Sequence, residues 1–186
     1  KDWPNDRNFR ILSIDGGGIK GIFPAAVLAK LERAYCGGHP VSAFFDLVVG
    51  TSTGGIIGLG LGAGYYAREL LALYMKDGQK IFPPTTNNAI GNFQKWFRKK
   101  RHIAQHIYDV EELKKVIRPK LLDKKIGESK VRLCVPSFDG THSELYLYKT
   151  PHHEDYFLDR NKLMLEAALA TSAAPSFFRP HDSDGY

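Results

Sequence analysis

The chain has 186 residues, 43% of them hydrophobic and 25% charged, and a formal net charge of +6 at pH 7. That length bounds the fold at one domain or a large piece of one, and the balance of residues excludes a disordered chain. The mild positive charge favours anionic partners such as phospholipid headgroups or nucleic acid, and fits an ordinary basic domain equally well.

The opening KDWPNDRNFR is polar and has no signal-peptide-like apolar segment, though it begins without Met, as a processed chain would. Residues 9–15, FRILSID, predict a buried strand that ends at the cluster GGGIKG, residues 16–21. A helix should follow, with Pro24 early in it and Ala25, Leu28 and Leu31 at helical spacing, until Gly37 and Gly38 close it. FFDLVV, residues 44–49, predicts a second buried strand, running straight into GTSTGG at residues 50–55. The glycine-rich IIGLGLGA opens another helical stretch, and a clearer helix covers residues 66–76.

Residues 79–107 read as a lid or insertion, with Pro83-Pro84 and the basic cluster KWFRKKRH. Asp109 with Glu112 predicts a capping box for a helix through about residue 118, which Pro119 should stop or kink. VRLCVPSF (131–138) and ELYLYKT (144–150) predict two strands joined through the turn signal Asp139-Gly140. KLMLEAALATSAA, residues 162–174, predicts a final helix closed by Pro175. This alternation of strands and helices implies an α/β fold, with a mostly parallel sheet covered by helices on both faces. Ligands bind such sheets beyond the C-terminal ends of the strands, and both glycine-rich loops fall there.

Gly50-Thr51-Ser52-Thr53-Gly54 fits Gly-x-Ser-x-Gly between a strand and a helix. In that setting the glycines permit a sharp turn, and the helix start lays N–H groups and a partial positive charge near Ser52. The bland alternative is a turn of small residues that serves only close packing. Gly16, Gly17 and Gly18 leave several N–H groups unshielded, which suits a phosphate or a transition-state oxyanion. GGGIKG also matches the dinucleotide fingerprint, but that reading needs an acid about 20 residues on. GGHPVSA, residues 37–43, has none, and Asp46 lies inside the next strand.

Cys36 and Cys134 form no disulfide framework or zinc motif, and His152-His153 lacks a third ligand, so no metal is expected. Lys95, Arg98, Lys99, Lys100 and Arg101 surround Trp96 and Phe97, a mixture that suits a lipid interface or a solvated loop. No recognised nucleic-acid module is present, so nucleic acid is not an expected partner. No apolar run reaches the roughly 18 to 20 residues of a membrane span.

RILSIDGGGIKGIFPAAVLAKLE, then FFDLVVGTSTGGIIGLGL, then AALATSAAPSFF resemble the patatin-like phospholipase family in order and spacing, over about residues 9–180. The resemblance implies a three-layer α/β/α sandwich with a mostly parallel central sheet. It also implies a lipid acyl hydrolase of phospholipase A type, without cofactor or metal. Such an enzyme cleaves acyl esters of membrane phospholipids through a Ser–Asp dyad and an acyl-serine intermediate. Ser52 matches the nucleophile, with Gly50, Thr53 and Gly54 around it; Gly16, Gly17 and Gly18 match the oxyanion loop, and Lys20 a basic position of the family.

The family's Asp sits in an Asp-Gly-Gly or Asp-Gly-Ala motif on a later strand. Asp184 is followed by Gly185 and then Tyr186, and no strand precedes it. The dyad Asp is therefore expected beyond residue 186, with Asp184 the lesser candidate, and the patatin-like domain (9–186) is expected to lack its C-terminal part.

The short spacing of the blocks resembles stand-alone bacterial members, some of which are anti-phage effectors switched on by cyclic nucleotides. Expected partners are thus membrane phospholipid, met peripherally from the cytoplasm, a cyclic-nucleotide activator and a second copy of the chain. The competing classes are a catalytically inactive lipid- or nucleotide-binding domain and an NAD-type oxidoreductase.

Overall fold

Four strands form one sheet: β1 (Ile11–Ile14), β2 (Leu47–Gly50), β3 (Arg132–Asp139) and β4 (Glu144–Lys149), in the order β1-β2-β3-β4. The computed structural model describes residues 3–82 and 109–173. The basic cluster at 95–101, Pro175 and Asp184 lie outside the described residues, as does nearly all of the 79–107 segment. β1, β2 and β3 run parallel, with Ile14 opposite Gly50 and Leu47 opposite Arg132. Parallel neighbours need long crossovers, and α1 (Ile22–Tyr35) supplies the first. α2 (Thr53–Gly62), α3 (Ala67–Ile81) and α4 (Val110–Leu121) fall within the second. β4 returns antiparallel through a tight turn in which the Asp139 carboxylate accepts the amides of Thr141 (2.8 Å) and His142 (3.3 Å). α5 (Met164–Ser172) follows. The result is the three-layer α/β/α fold with a mostly parallel sheet.

The core lies between the sheet and α2, which is buried along its whole length. Ile57, Leu59 and Leu61 of α2 share it with Val48, Leu133 and Val135 of the strands and Met164 and Leu169 of α5. Each such aliphatic side chain contributes about 1.5–3 kcal/mol by leaving water. The other sheet face is more open: Val49 and Cys134 are half-buried, and Phe138 and Leu145 are exposed.

Two buried carboxylates fasten the connections. Glu32 of α1 accepts the amides of Val41 (3.0 Å) and Ala67 (2.9 Å), and Arg68 lies 3.6 Å from its other oxygen. It thereby joins α1 to the start of α3. Asp46 accepts two hydrogen bonds from the Arg7 guanidinium (2.6 and 2.8 Å) and one from the Arg10 amide (2.9 Å), which holds the N-terminal segment against the sheet.

Several boundaries differ from the sequence reading. The strand expected at 44–49 begins only at Leu47, because Val41–Phe44 is a 3-10 turn and Asp46 is committed to Arg7. The helix expected at 66–76 runs on to Ile81, since buried Gly78 and Ile81 extend the apolar face begun by Leu70 and Tyr74. Pro119 does not stop α4. It sits in the last turn, and the burial of Ile117 and Leu121 carries the helix past it. Asp109 caps α4 by accepting the Glu111 amide at 2.8 Å, while Glu112 pairs with Lys115 instead of closing a capping box. The first helix is preceded by a 3-10 turn, Gly18–Gly21.

Candidate active site

β2 ends at Gly50 and α2 begins at Thr53, so Ser52 occupies the turn between a strand and a helix. Its backbone has φ 55° and ψ −122°. Positive φ in a residue with a side chain costs about 1–3 kcal/mol and persists only where the surroundings enforce it. The surroundings here do so by close approach. A Cβ on Gly50 would lie 2.3 Å from the Gly54 carbonyl oxygen, and one on Gly54 would lie 2.1 Å from the Ile14 carbonyl oxygen. Only glycine fits at either place, and together they fold the chain back sharply enough to hold out the Ser52 side chain.

Polar contacts then lock the turn. The Ser52 amide donates to Thr171 Oγ1 at 3.0 Å, and the Thr171 hydroxyl donates to the Pro136 carbonyl at 2.6 Å. One hydroxyl of α5 thus bridges the turn to β3. Thr53 is fully buried, and its carbonyl accepts the Tyr74 hydroxyl at 3.2 Å. Burial pushes the Tyr74 phenol far above its ordinary value, so it stays a neutral donor.

The glycine loop after β1 passes directly against this turn. A Cβ on Gly16 would stand 2.9 Å from the Thr51 carbonyl oxygen and 3.0 Å from the Ser52 Cβ. Gly18, with φ 58°, faces the Phe82 ring. The structure therefore brings Gly16, Gly17 and Gly18 together with Gly50, Ser52, Thr53 and Gly54 at the C-terminal edge of the sheet. One detail departs from the sequence reading: the Gly17 amide donates to Thr53 Oγ1 at 3.1 Å. The amides of Gly18 and Thr53 stand at helix starts, where no carbonyl of the same helix reaches them. Amides so placed can meet a negative oxygen, and the N-terminal dipole of α2 adds positive potential beside Ser52.

Among the described residues no histidine hydrogen-bonds to Ser52. His142 pairs with Asp139 at 2.6 Å, and His152 Nδ1 lies 2.8 Å from Thr150 Oγ1. No group of His, Cys, Asp and Glu among the described residues could hold a metal ion, and no described helix is long and apolar enough to cross a membrane. Sequence reasoning missed Thr171 and Tyr74. Thr171 lies within the block AALATSAAPSFF, but its partners are 119 and 35 positions away, and no local pattern marks such contacts.

The sequence model of patatin-like phospholipases matches residues 12–186. The chain belongs to the patatin-like phospholipase family. It is 36% identical over 187 residues to a cGAMP-activated phospholipase of Vibrio cholerae, a match that spans 95% of this chain and 52% of that protein. It is 34% identical to a cGAMP-activated phospholipase of Escherichia coli, over 92% of this chain and 48% of that protein. The chain thus spans about half the length of the curated relatives it matches. Among solved structures, VipD from Legionella pneumophila superposes with a TM-score of 0.55 at 16% identity, over 95% of this chain and 44% of VipD, a likeness of fold.

Proposed function

We propose that the protein is a lipid acyl hydrolase of phospholipase A type with Ser52 as nucleophile. The observation that carries this is the enforced positive φ of Ser52 at the strand-to-helix turn, with the glycine loop packed against it. In the proposed reaction an Asp from outside the described residues takes the Ser52 hydroxyl proton, and Oγ attacks the acyl carbonyl carbon. That Asp lies beyond residue 186, with Asp184 the alternative within the sequence. The Gly18 and Thr53 amides hold the tetrahedral oxyanion, and Gly17 joins them on releasing Thr53 Oγ1. The oxyanion collapses, the lysolipid alcohol leaves with the proton, and acyl-Ser52 remains. Water activated by the same Asp then attacks the acyl-serine, releasing fatty acid and restoring the hydroxyl.

The substrate is a phospholipid, met peripherally from the cytoplasmic side. Lys95, Arg98, Lys99, Lys100 and Arg101 attract anionic headgroups, and Trp96 and Phe97 settle at the interface. Similarity to two cGAMP-activated phospholipases supports activation by a cyclic nucleotide and a role in anti-phage defence. The test is fatty-acid release from phosphatidylglycerol vesicles by the full-length protein, with and without cyclic GMP-AMP. Release should require Ser52 and rise with the nucleotide. A Ser52→Ala protein as active as wild type would end the proposal.

A further inference from the structure

A second cleft lies at the opposite edge of the sheet from Ser52. Leu47, the first residue of β2, pairs with Arg132, whereas Gly50, the last, leads into the serine turn. Around Arg132, the end of β4 and the 3-10 turn Ile126–Glu128 help enclose a cleft of about 600 Å³. Small-molecule sites run roughly 300–1,000 Å³. The lining brings Lys130, Arg132 and Arg160 together against a single carboxylate, Glu154.

These cations are presented by a fixed frame. Arg132 is only 7% exposed; its Nη1 donates to the Asp46 carbonyl at 3.3 Å, and its guanidinium lies 4.6 Å from the centre of the Trp3 ring. Trp3 in turn stacks on Phe9 at 4.9 Å and meets His152 edge-on at 6.2 Å. The Gly127 amide donates to the Arg160 carbonyl at 3.1 Å, the Lys130 amide to the Gly62 carbonyl at 2.8 Å, and the Leu133 amide to Thr150 Oγ1 at 2.9 Å. Lys130 and Arg160 are exposed, and neither forms an ion pair among the described residues. Burial first, and then the charge of Arg132, holds the His152 imidazole below its ordinary value. Lys130 and Arg160 thus place two cations at the cleft with no carboxylate paired to them among the described residues.

We propose that this cleft binds a phosphate-bearing ligand of the nucleotide class, with Lys130, Arg132 and Arg160 meeting the phosphates and the aromatic rings at its rim meeting the base. Guanidinium and ammonium groups recognise phosphate through charge-assisted hydrogen bonds. Phe157, exposed in the lining, offers a ring face for a flat base, and Trp3 beside it, engaged by Phe9 and Arg132, adds only its exposed edge. A lipid headgroup or free phosphate shares the anion chemistry, but neither has a base to use these rings. The site gives the proposed activation a location, and rests on that reading only for which nucleotide is tried first.

The experiment is calorimetric titration of the full-length protein with cyclic GMP-AMP and with inorganic phosphate, beside flotation on phosphatidylglycerol vesicles. Wild type and Ser52→Ala should bind the nucleotide alike. The double variant Lys130→Ala/Arg160→Ala should bind it at least about tenfold more weakly, at an unchanged circular dichroism spectrum and unchanged flotation. Nucleotide binding that survives the double substitution overturns the site, as does a wild type that binds no nucleotide. Binding of phosphate alone, or flotation lost in the variant, overturns the nucleotide assignment. Nucleotide bound through these residues without any change in hydrolysis would keep the site and refute the activation. Undiminished activation of the double variant would do the reverse.

Discussion

Replacing Thr171 by Val probes directly how the serine turn is held. Valine keeps the shape of threonine and puts a methyl where the hydroxyl was. Two bonds go with it, the 3.0 Å contact from the Ser52 amide and the 2.6 Å contact to the Pro136 carbonyl. Thr171 is 6% exposed, so water cannot readily take over. A buried polar group left without its partner costs about 1–3 kcal/mol, and these two, both part-buried, together give about 2–4 kcal/mol. Thr171→Ser keeps the hydroxyl and loses one methyl, about 0.8 kcal/mol. Urea unfolding of the full-length proteins separates the two: the midpoint should fall for Val, much less for Ser, at constant slope. Hydrolysis should fall with the Val variant, because the Ser52 amide is no longer anchored. A Val variant within about 0.5 kcal/mol of wild type, or a Ser variant as unstable as Val, would refute this.

The remaining predictions concern the same turn and the β3–β4 hairpin. Ser52→Gly should be inactive yet about 1 kcal/mol more stable than Ser52→Ala by thermal unfolding, because glycine accepts φ 55° without strain. Gly54→Ala should cost at least about 3 kcal/mol or prevent soluble expression, since its Cβ would fall 2.1 Å from the Ile14 carbonyl oxygen. His142 should titrate above its ordinary value of about 6.5, chiefly through its hydrogen bond to Asp139 and then through that residue's charge. Because the folded value is raised, the stabilisation is complete below about pH 6.5 and vanishes as pH rises through the folded value. Asp139→Asn should return the NMR titration of His142 to near that ordinary value; an unmoved midpoint would exclude the Asp139 contact as the cause.

What the sequence disclosed and what it hid follow from the range of the interactions. Gly16, Gly50, Ser52 and Gly54 were legible because a tight turn between a strand and a helix is a local demand. Gly50, Ser52 and Gly54 are nearly consecutive, and Gly16 belongs to a separate glycine run directly after β1. The boundary of β2 was hidden because Asp46 answers to Arg7, 39 positions earlier. α4 outran Pro119 because Ile117 and Leu121 are buried, and tertiary packing outweighs the one amide that proline lacks. Gly17 looked like an oxyanion donor from its place in the glycine run. Only the fold shows that Thr53 Oγ1, 36 positions away, takes its amide. The cleft at Arg132 left no motif at all, since Lys130, His152 and Arg160 come from separate segments.

If Ser52 is an activated nucleophile, it should react covalently with a fluorophosphonate probe. The full-length protein is treated with the probe beside Ser52→Ala, with cyclic GMP-AMP present and absent, and the adduct is located by mass spectrometry. The expected result is a single adduct on Ser52, stronger with the nucleotide and lost in the variant. Labelling that persists in Ser52→Ala, or lipid hydrolysis by a protein whose Ser52 never takes the probe, would contradict it.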